Sequence, residues 1–289
     1  MQVNTIAEQL FFTIVRIDTI TTNGEIGAGT GFFFSHKVAG LYYPFIVTNK
    51  HVVMDMREGR FLFLKSKDRL PLLGDGFTLN VNPNVWSDMW FGHPEPNVDI
   101  AVFPLLPLLN FAKQQHGTDL FWRPVETDMI PTPEQIEKLD ALEPVAFIGY
   151  PNGIWDKKHL LPVARRGTTA SPIEVDFEGK PQFLTDASVF GGSSGSPVFI
   201  FNQGSWAEKN GYLFAGSRLL FVGVIAAAFF RTNLNQIIPV PIPTQIQPMA
   251  QQQEMIDLGI VFKARTVVET IEACLKTHNI DITLSNKIR

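Results

Sequence analysis

The segment Gly191-Gly192-Ser193-Ser194-Gly195-Ser196-Pro197 concentrates the chain's capacity for chemistry. A serine that attacks a carbonyl needs two backbone amides aimed at the oxyanion it creates, and small neighbours let a substrate approach those amides closely. With Ser194 as nucleophile, the amides of Gly192 and Ser194 would serve. A serine hydroxyl is a weak nucleophile near neutral pH, so it also needs an imidazole to take its proton and an acid to orient that imidazole. His51 lies in Thr48-Asn49-Lys50-His51-Val52-Val53, directly after the apolar run 45–47, and Asp99 directly precedes Ile100-Ala101-Val102-Phe103. Each therefore sits at the end of an expected strand. Singly, such a histidine reads as a surface or core residue and such an aspartate as a turn or strand cap. The ordered set His51, Asp99, Ser194 points to acyl transfer.

A rival reading makes Ser193 the nucleophile of a G-x-S-x-G elbow, as in an α/β-hydrolase. That elbow must turn into a helix, whereas Pro197 and a strand-type run follow here, and the hydrolase order would leave only His278 downstream as base. Other chemistry is thin. His93, with Glu95 and Asp99 nearby, matches no metal-ligand spacing, and Pro94 and Pro96 make it read as an exposed loop histidine. Trp86, Trp90 and Phe91 read as aromatic packing or a loop anchor. No metal site and no cofactor are expected.

The elements that must position these residues are short apolar runs between Gly, Asn, Asp and Pro. Residues 10–17, 30–34, 45–48, 61–65 and 100–105 form one set, and 144–149, 182–185, 197–201, 219–227 and 258–262 a second. Two sets predict two all-β units, in residues 1–115 and 141–289, joined by a polar, Pro-rich linker over 116–140. A short helix is expected over 133–139 after Thr132. Val267 or Val268, Ile271 and Leu275 share a face of a predicted terminal helix over 266–275. Residues 232–257, with Pro239, Pro241, Pro243 and Pro248, predict an extended surface loop, either a lid beside the cleft or an insertion without a role.

A chain of 289 residues with 45% hydrophobic content can build a sizeable core. Its formal charge of −4, with no Lys/Arg run, gives no footprint for nucleic acid or anionic membrane. The longest apolar run, 219–230, stops at Arg231, short of the ~18 residues of a membrane span. The single cysteine, Cys274, excludes an internal disulfide. Arg16 and Asp18 interrupt the N-terminal apolar run, so no secretory signal is read there and a cytoplasmic location is expected.

With these segments in hand, the chain resembles the trypsin-like serine proteases, and within them the HtrA branch. Gly29-Thr30-Gly31-Phe32 resembles the opening hairpin of that branch, Gly149-Tyr150-Pro151-Asn152-Gly153 its second-barrel entry, Leu184-Thr185-Asp186-Ala187 the strand feeding the nucleophile, and Leu258-Gly259-Ile260-Val261-Phe262 its ending. The resemblance implies an all-β fold of two six-stranded antiparallel barrels with a C-terminal helix. His51 would be the base, Asp99 its orienting acid and Ser194 the nucleophile. A substrate pocket would be lined by Ser188 with Gly223, Val224, Ile225, Ala226 and Ala227, the stretch 224–227 pairing with substrate backbone. Ser188 at the pocket base supplies no acid, so small or medium aliphatic side chains are expected over Lys or Arg, unless the path of the loop turns Asp186 inward.

The chain departs from the family in three respects. It ends soon after its terminal helix, so a C-terminal PDZ domain is not expected. Ser196 stands where glycine is more usual. Ser193 occupies the position whose aspartate receives the freed N-terminal amine in trypsin-type zymogens, so that switch is closed, and ordering of the oxyanion loop by an activating protein partner is the expected regulation. Protein or peptide segments are the expected substrates. Two alternatives carry other functions: a catalytically silent module that binds extended peptides, and an esterase using the same three residues.

Overall fold

Runs rich in β-branched and aromatic residues cannot bury their apolar side chains alone, and here they pair into two large sheets. A computed structural model describes residues 3–233 and 252–278. The first sheet contains β1 (Ile14–Thr21), β2 (Ile26–Val38), β3 (Leu41–Thr48), β4 (Met56–Lys67), β5 (Leu70–Asn80), β6 (Phe91–Gly92), β7 (Ala101–Pro104), β8 (Asp119–Phe121) and β9 (Val125–Glu126). Its order is β5-β4-β1-β2-β3-β7-β6, with β8 on β4 and β9 on β2. The second contains β10 (Pro144–Gly149), β11 (Val163–Thr169), β12 (Gln182–Asp186), β13 (Pro197–Asn202), β16 (Arg218–Asn233) and β17 (Gln252–Lys263). It closes as β10-β11-β12-β17-β16-β13, a six-stranded barrel. A hairpin of β14 (Ser205–Ala207) and β15 (Leu213–Ala215) stands beside it.

The second half thus matches the expected barrel, while the first is a nine-stranded sheet rather than six strands. Two of the three additional strands have a local cause. The segment 116–140 contributes β8 and β9 to the first sheet, and β9 runs parallel to β2, pairing Phe34 with Val125. Residues 232–233 and 252–257, expected to be irregular, prolong β16 and β17 as an antiparallel ribbon with Asn233 opposite Gln252. Residues 234–251, the centre of the expected lid, lie outside the described residues.

Among the described residues six α-helices decorate the sheets: α1 (Ile6–Leu10), α2 (Lys50–Val53), α3 (Pro83–Trp86), α4 (Leu106–His116), α5 (Pro133–Glu137) and α6 (Arg265–Thr277). Thr5 and Glu8 form a capping box that turns Leu10 into a helix end rather than the start of a strand. Thr132 caps α5 in the same way with Gln135, at the expected place. In α6, Val267, Ile271 and Leu275 are buried at one-turn spacing, and the helix packs back on β7 of the first sheet. One core cluster joins both halves, with Phe32, Phe34 and Val102 from the first sheet against Phe199, Phe221 and Val224 from the barrel. Trp86 and Trp90 are buried against Phe61, as aromatic packing.

Candidate active site

The strand β3 ends at Thr48, and the single turn α2 follows, carrying His51 outward. Antiparallel pairing of Thr48 with Ala101 brings the start of β7, and so Asp99, alongside. The His51 backbone N–H donates to Asp99 Oδ1 at 3.0 Å, and its Nδ1 lies 2.5 Å from Oδ2. A carboxylate can only accept, so Nδ1 carries a proton, and in the neutral imidazole Nε2 then holds the lone pair. The histidine side chain is 50% exposed and the aspartate 27%, so one face of the imidazole remains open. Asn49, fully buried, donates from Nδ2 to the Asp99 carbonyl at 2.7 Å and fixes the loop that presents the acid. Lys50 Nζ donates to the Glu95 carbonyl; burial lowers its pKa, and the negative charge of Asp99 acts the other way.

The loop 191–196 is held plane by plane. Gly191 carbonyl accepts from Asn152 N–H, Gly192 carbonyl from Thr30 Oγ1, Ser193 carbonyl from Ser196 N–H, and Ser194 carbonyl from Thr30 N–H. The amides of Ser193, Gly195 and Ser196 donate to Phe190, Ile225 and Ser193 carbonyls. The amides of Gly191, Gly192 and Ser194 meet no acceptor among the described residues. A trans peptide holds its N–H antiparallel to its C=O. Anchoring the carbonyls of Gly191 and Ser193 therefore aims the free amides of Gly192 and Ser194. The loop depends on glycine at Gly192, φ +83°, and Gly195, φ +86°, where a Cβ would strike the Tyr150 and Thr30 carbonyls respectively.

A Cβ on Gly195 would also meet Thr48 Oγ1, so the Ser194 loop is seated against the strand end that leads to His51. Ser194 Oγ itself donates to the Ala226 carbonyl at 3.3 Å, and among the described residues no hydrogen bond joins it to His51.

The residues expected to line a substrate pocket divide. Ser188 is half-buried beside buried Val189, and Asp186 is exposed in β12. Gly223 and Val224 are buried and paired on both sides, with Val198 and Pro197 on one flank and Lys263 and Phe262 on the other. Ile225 exchanges both backbone groups with the nucleophile loop, its N–H to Ser196 carbonyl and its carbonyl from Gly195 N–H. Of the stretch 224–227 expected to pair with substrate, Val224 and Ile225 are thus engaged within the barrel, and β16 bulges at Ala226, with Ala227 exposed. His93 also differs from expectation, being buried rather than exposed. Its Nδ1 accepts from Glu95 N–H, and its Nε2 lies 3.3 Å from Glu269 of α6.

Asn49, Thr30 and Asn152 complete the site and were not singled out by residue type. Asn152 acts through its main chain, in a left-handed turn with φ +49° beside Gly153, and its traces in the sequence were the Asn-Gly pair and the family resemblance of 149–153. Arg16 lies over the rings of Tyr150 and Trp155, clasping that turn to the first sheet.

No curated protein matches the chain. Among solved structures, the Rv3671c protease of M. tuberculosis in its active form is similar at 16% identity and a TM-score of 0.46, over 93% of this chain and 83% of that one. The thermostable serine protease AL20 from an extremophilic microorganism is similar at 12% identity and a TM-score of 0.45, over 91% and 97%. An inactivated protease paralogue of the scabies mite is similar at 14% identity and a TM-score of 0.48, over 93% and 97%. The family model for the trypsin-like peptidase domain matches residues 29–206, a span that carries His51, Asp99 and Ser194, and the chain belongs to that family.

Proposed function

We propose that the chain is a serine endopeptidase in which His51, Asp99 and Ser194 act as a catalytic triad. The observation that carries the reading is the His51–Asp99 pair, in which the carboxylate holds Nδ1 and leaves Nε2 as the nitrogen that can act as base. Ser194 Oγ attacks the scissile carbonyl carbon while its proton passes to His51 Nε2. The oxyanion so formed is received by the amides of Gly192 and Ser194. His51 then protonates the departing amine as the peptide C–N bond breaks, leaving an ester on Ser194. Water, deprotonated by His51, cleaves that ester and returns the proton to Ser194. Asp99 stabilises the imidazolium without taking its proton.

Ser194 must first rotate off the Ala226 carbonyl, and we place regulation by a protein partner at that step. Unfolded or exposed segments are the proposed substrates, laid along Ala226–Ala227, with an aliphatic side chain over Ser188. The resemblance of the segments at 29–32, 149–153, 184–187 and 258–262 supports an HtrA-like member, and the lone cysteine accords with a cytoplasmic setting.

Labelling with a fluorophosphonate, together with cleavage of an unfolded protein, tests the assignment in the parent, Ser194→Ala and His51→Ala. The expected result is loss of both signals in both variants. Labelling that survives Ser194→Ala overturns the nucleophile. Absence of labelling in every form, partner proteins included, favours the second reading, a silent peptide-binding module, for which the Ser194 hydrogen bond to Ala226 speaks.

A further inference from the structure

We propose that Thr30 is a positioning residue for the oxyanion hole, acting from the first sheet on the loop of the barrel; the inference rests on the endopeptidase reading. Thr30 is fully buried in β2 and uses every polar group it has. Its N–H donates to the Ser194 carbonyl at 3.0 Å and its hydroxyl to the Gly192 carbonyl at 2.9 Å. The same hydroxyl oxygen accepts from Tyr150 N–H at 3.2 Å, and the Thr30 carbonyl accepts from Thr48 Oγ1 at 2.7 Å.

Those contacts fall on the carbonyls of Gly192 and Ser194, the two residues whose amides form the proposed oxyanion hole, and so hold the peptide that follows each of them. Of the four carbonyls from Gly191 to Ser194, Thr30 holds two, and the Gly192 bond is the one made by a side chain. The bond from Tyr150 adds a second route. Tyr150 begins the turn whose next-but-one residue, Asn152, anchors the Gly191 carbonyl and so orients the Gly192 amide. One hydroxyl thereby fixes the peptide on each side of Gly192, and the Thr48 contact ties the same residue to the strand end that carries His51. Removing it would orphan a part-buried carbonyl and a buried amide together, and both would seek new partners by turning the peptides that carry them. Gly149 marks how tightly the group is enclosed, since a Cβ there would lie 2.7 Å from Thr30 Oγ1.

The test compares Thr30→Val, which keeps the shape and loses the hydroxyl, with Thr30→Ser, which keeps it. For a peptide substrate, Thr30→Val is expected to lower kcat by about 10- to 100-fold with KM within about twofold, because the lost interaction serves the transition state. Affinity for a peptide boronate should fall by a similar factor, and Thr30→Ser should restore both to within about threefold. Amide hydrogen exchange over residues 190–196 should be faster in Thr30→Val and return to the parent rate in Thr30→Ser. Unchanged kcat and boronate affinity in a folded Thr30→Val overturns the proposal, whatever its melting temperature. If the parent itself shows no Ser194-dependent turnover, the endopeptidase reading fails separately. Exchange over 190–196 then decides: faster exchange rescued by serine supports Thr30 as the loop's anchor, and unchanged exchange overturns it.

Discussion

At Gly195 the backbone adopts φ +86°, and the Thr30 carbonyl occupies the direction in which a side chain would grow. Alanine there meets two penalties, a left-handed conformation worth about 1–2 kcal/mol and a clash with main chain that cannot rotate aside. Gly195→Ala should therefore lose at least about 2 kcal/mol in a denaturant titration and also lose labelling of Ser194. Asp99→Asn tests the other side of the site. An amide in place of the carboxylate cannot hold His51 with Nδ1 protonated and Nε2 bare, so hydrolysis should fall by about 10³–10⁴-fold while thermal melting changes little. His51, Asp99 and Ser194 were legible in the sequence because their side chains do the proposed chemistry and few others in the chain could. Asn152 was not, because it contributes a main-chain N–H that every residue but proline possesses.

Strands whose two faces are both covered read as continuous apolar runs, which is why β3, β7, β10, β13 and β16 were legible. The strand β5 was not, since Gly74 and Gly76 break its pattern, and α4 was hidden because its exposed apolar residues Leu106 and Phe111 blur a helical stripe. The join between barrel and terminal helix is electrostatic as well as apolar. Asp176 receives Lys263 Nζ at 2.6 Å, from the last residue of β17, and Arg265 Nη2 at 2.5 Å, from the first of α6. Burial alone would raise the Asp176 pKa, but the hydrogen bonds from Lys263 and Arg265 outweigh it and hold the carboxyl below its ordinary value. A depressed carboxylate pKa stabilises the fold fully above the unfolded-state value, about 3.9, and that contribution disappears as pH falls through the folded-state value. Asp176→Asn should accordingly melt below the parent at neutral pH. The gap should narrow below about pH 4 and close once the parent's Asp176 is itself protonated. A gap independent of pH would assign the loss to packing instead.

Although residues 1–115 and 141–289 read from sequence as two units, the site needs both at once. Thr30, Thr48, His51 and Asp99 come from the first sheet, and Tyr150, Asn152 and the loop 191–196 from the second half. The halves share apolar surface directly beneath that junction: Phe221 of the barrel packs its ring 5.4 Å from Phe32, 5.9 Å from Phe34 and 5.8 Å from Phe199. Neither half can cover its part of this cluster alone, and α6 closes the same core by crossing from the barrel to the first sheet. The molecule should therefore unfold as one cooperative unit. Trp86, Trp90 and Trp122 report on the first half, Trp155 and Trp206 on the second, and far-UV circular dichroism reports on both. These signals should change together in a single denaturant transition. Phe221→Ala removes a ring common to both halves and should move that transition by about 3–5 kcal/mol without splitting it. Separate transitions in the variant would mean instead that each half has a sufficient core of its own, and that the site is assembled by docking of two finished domains.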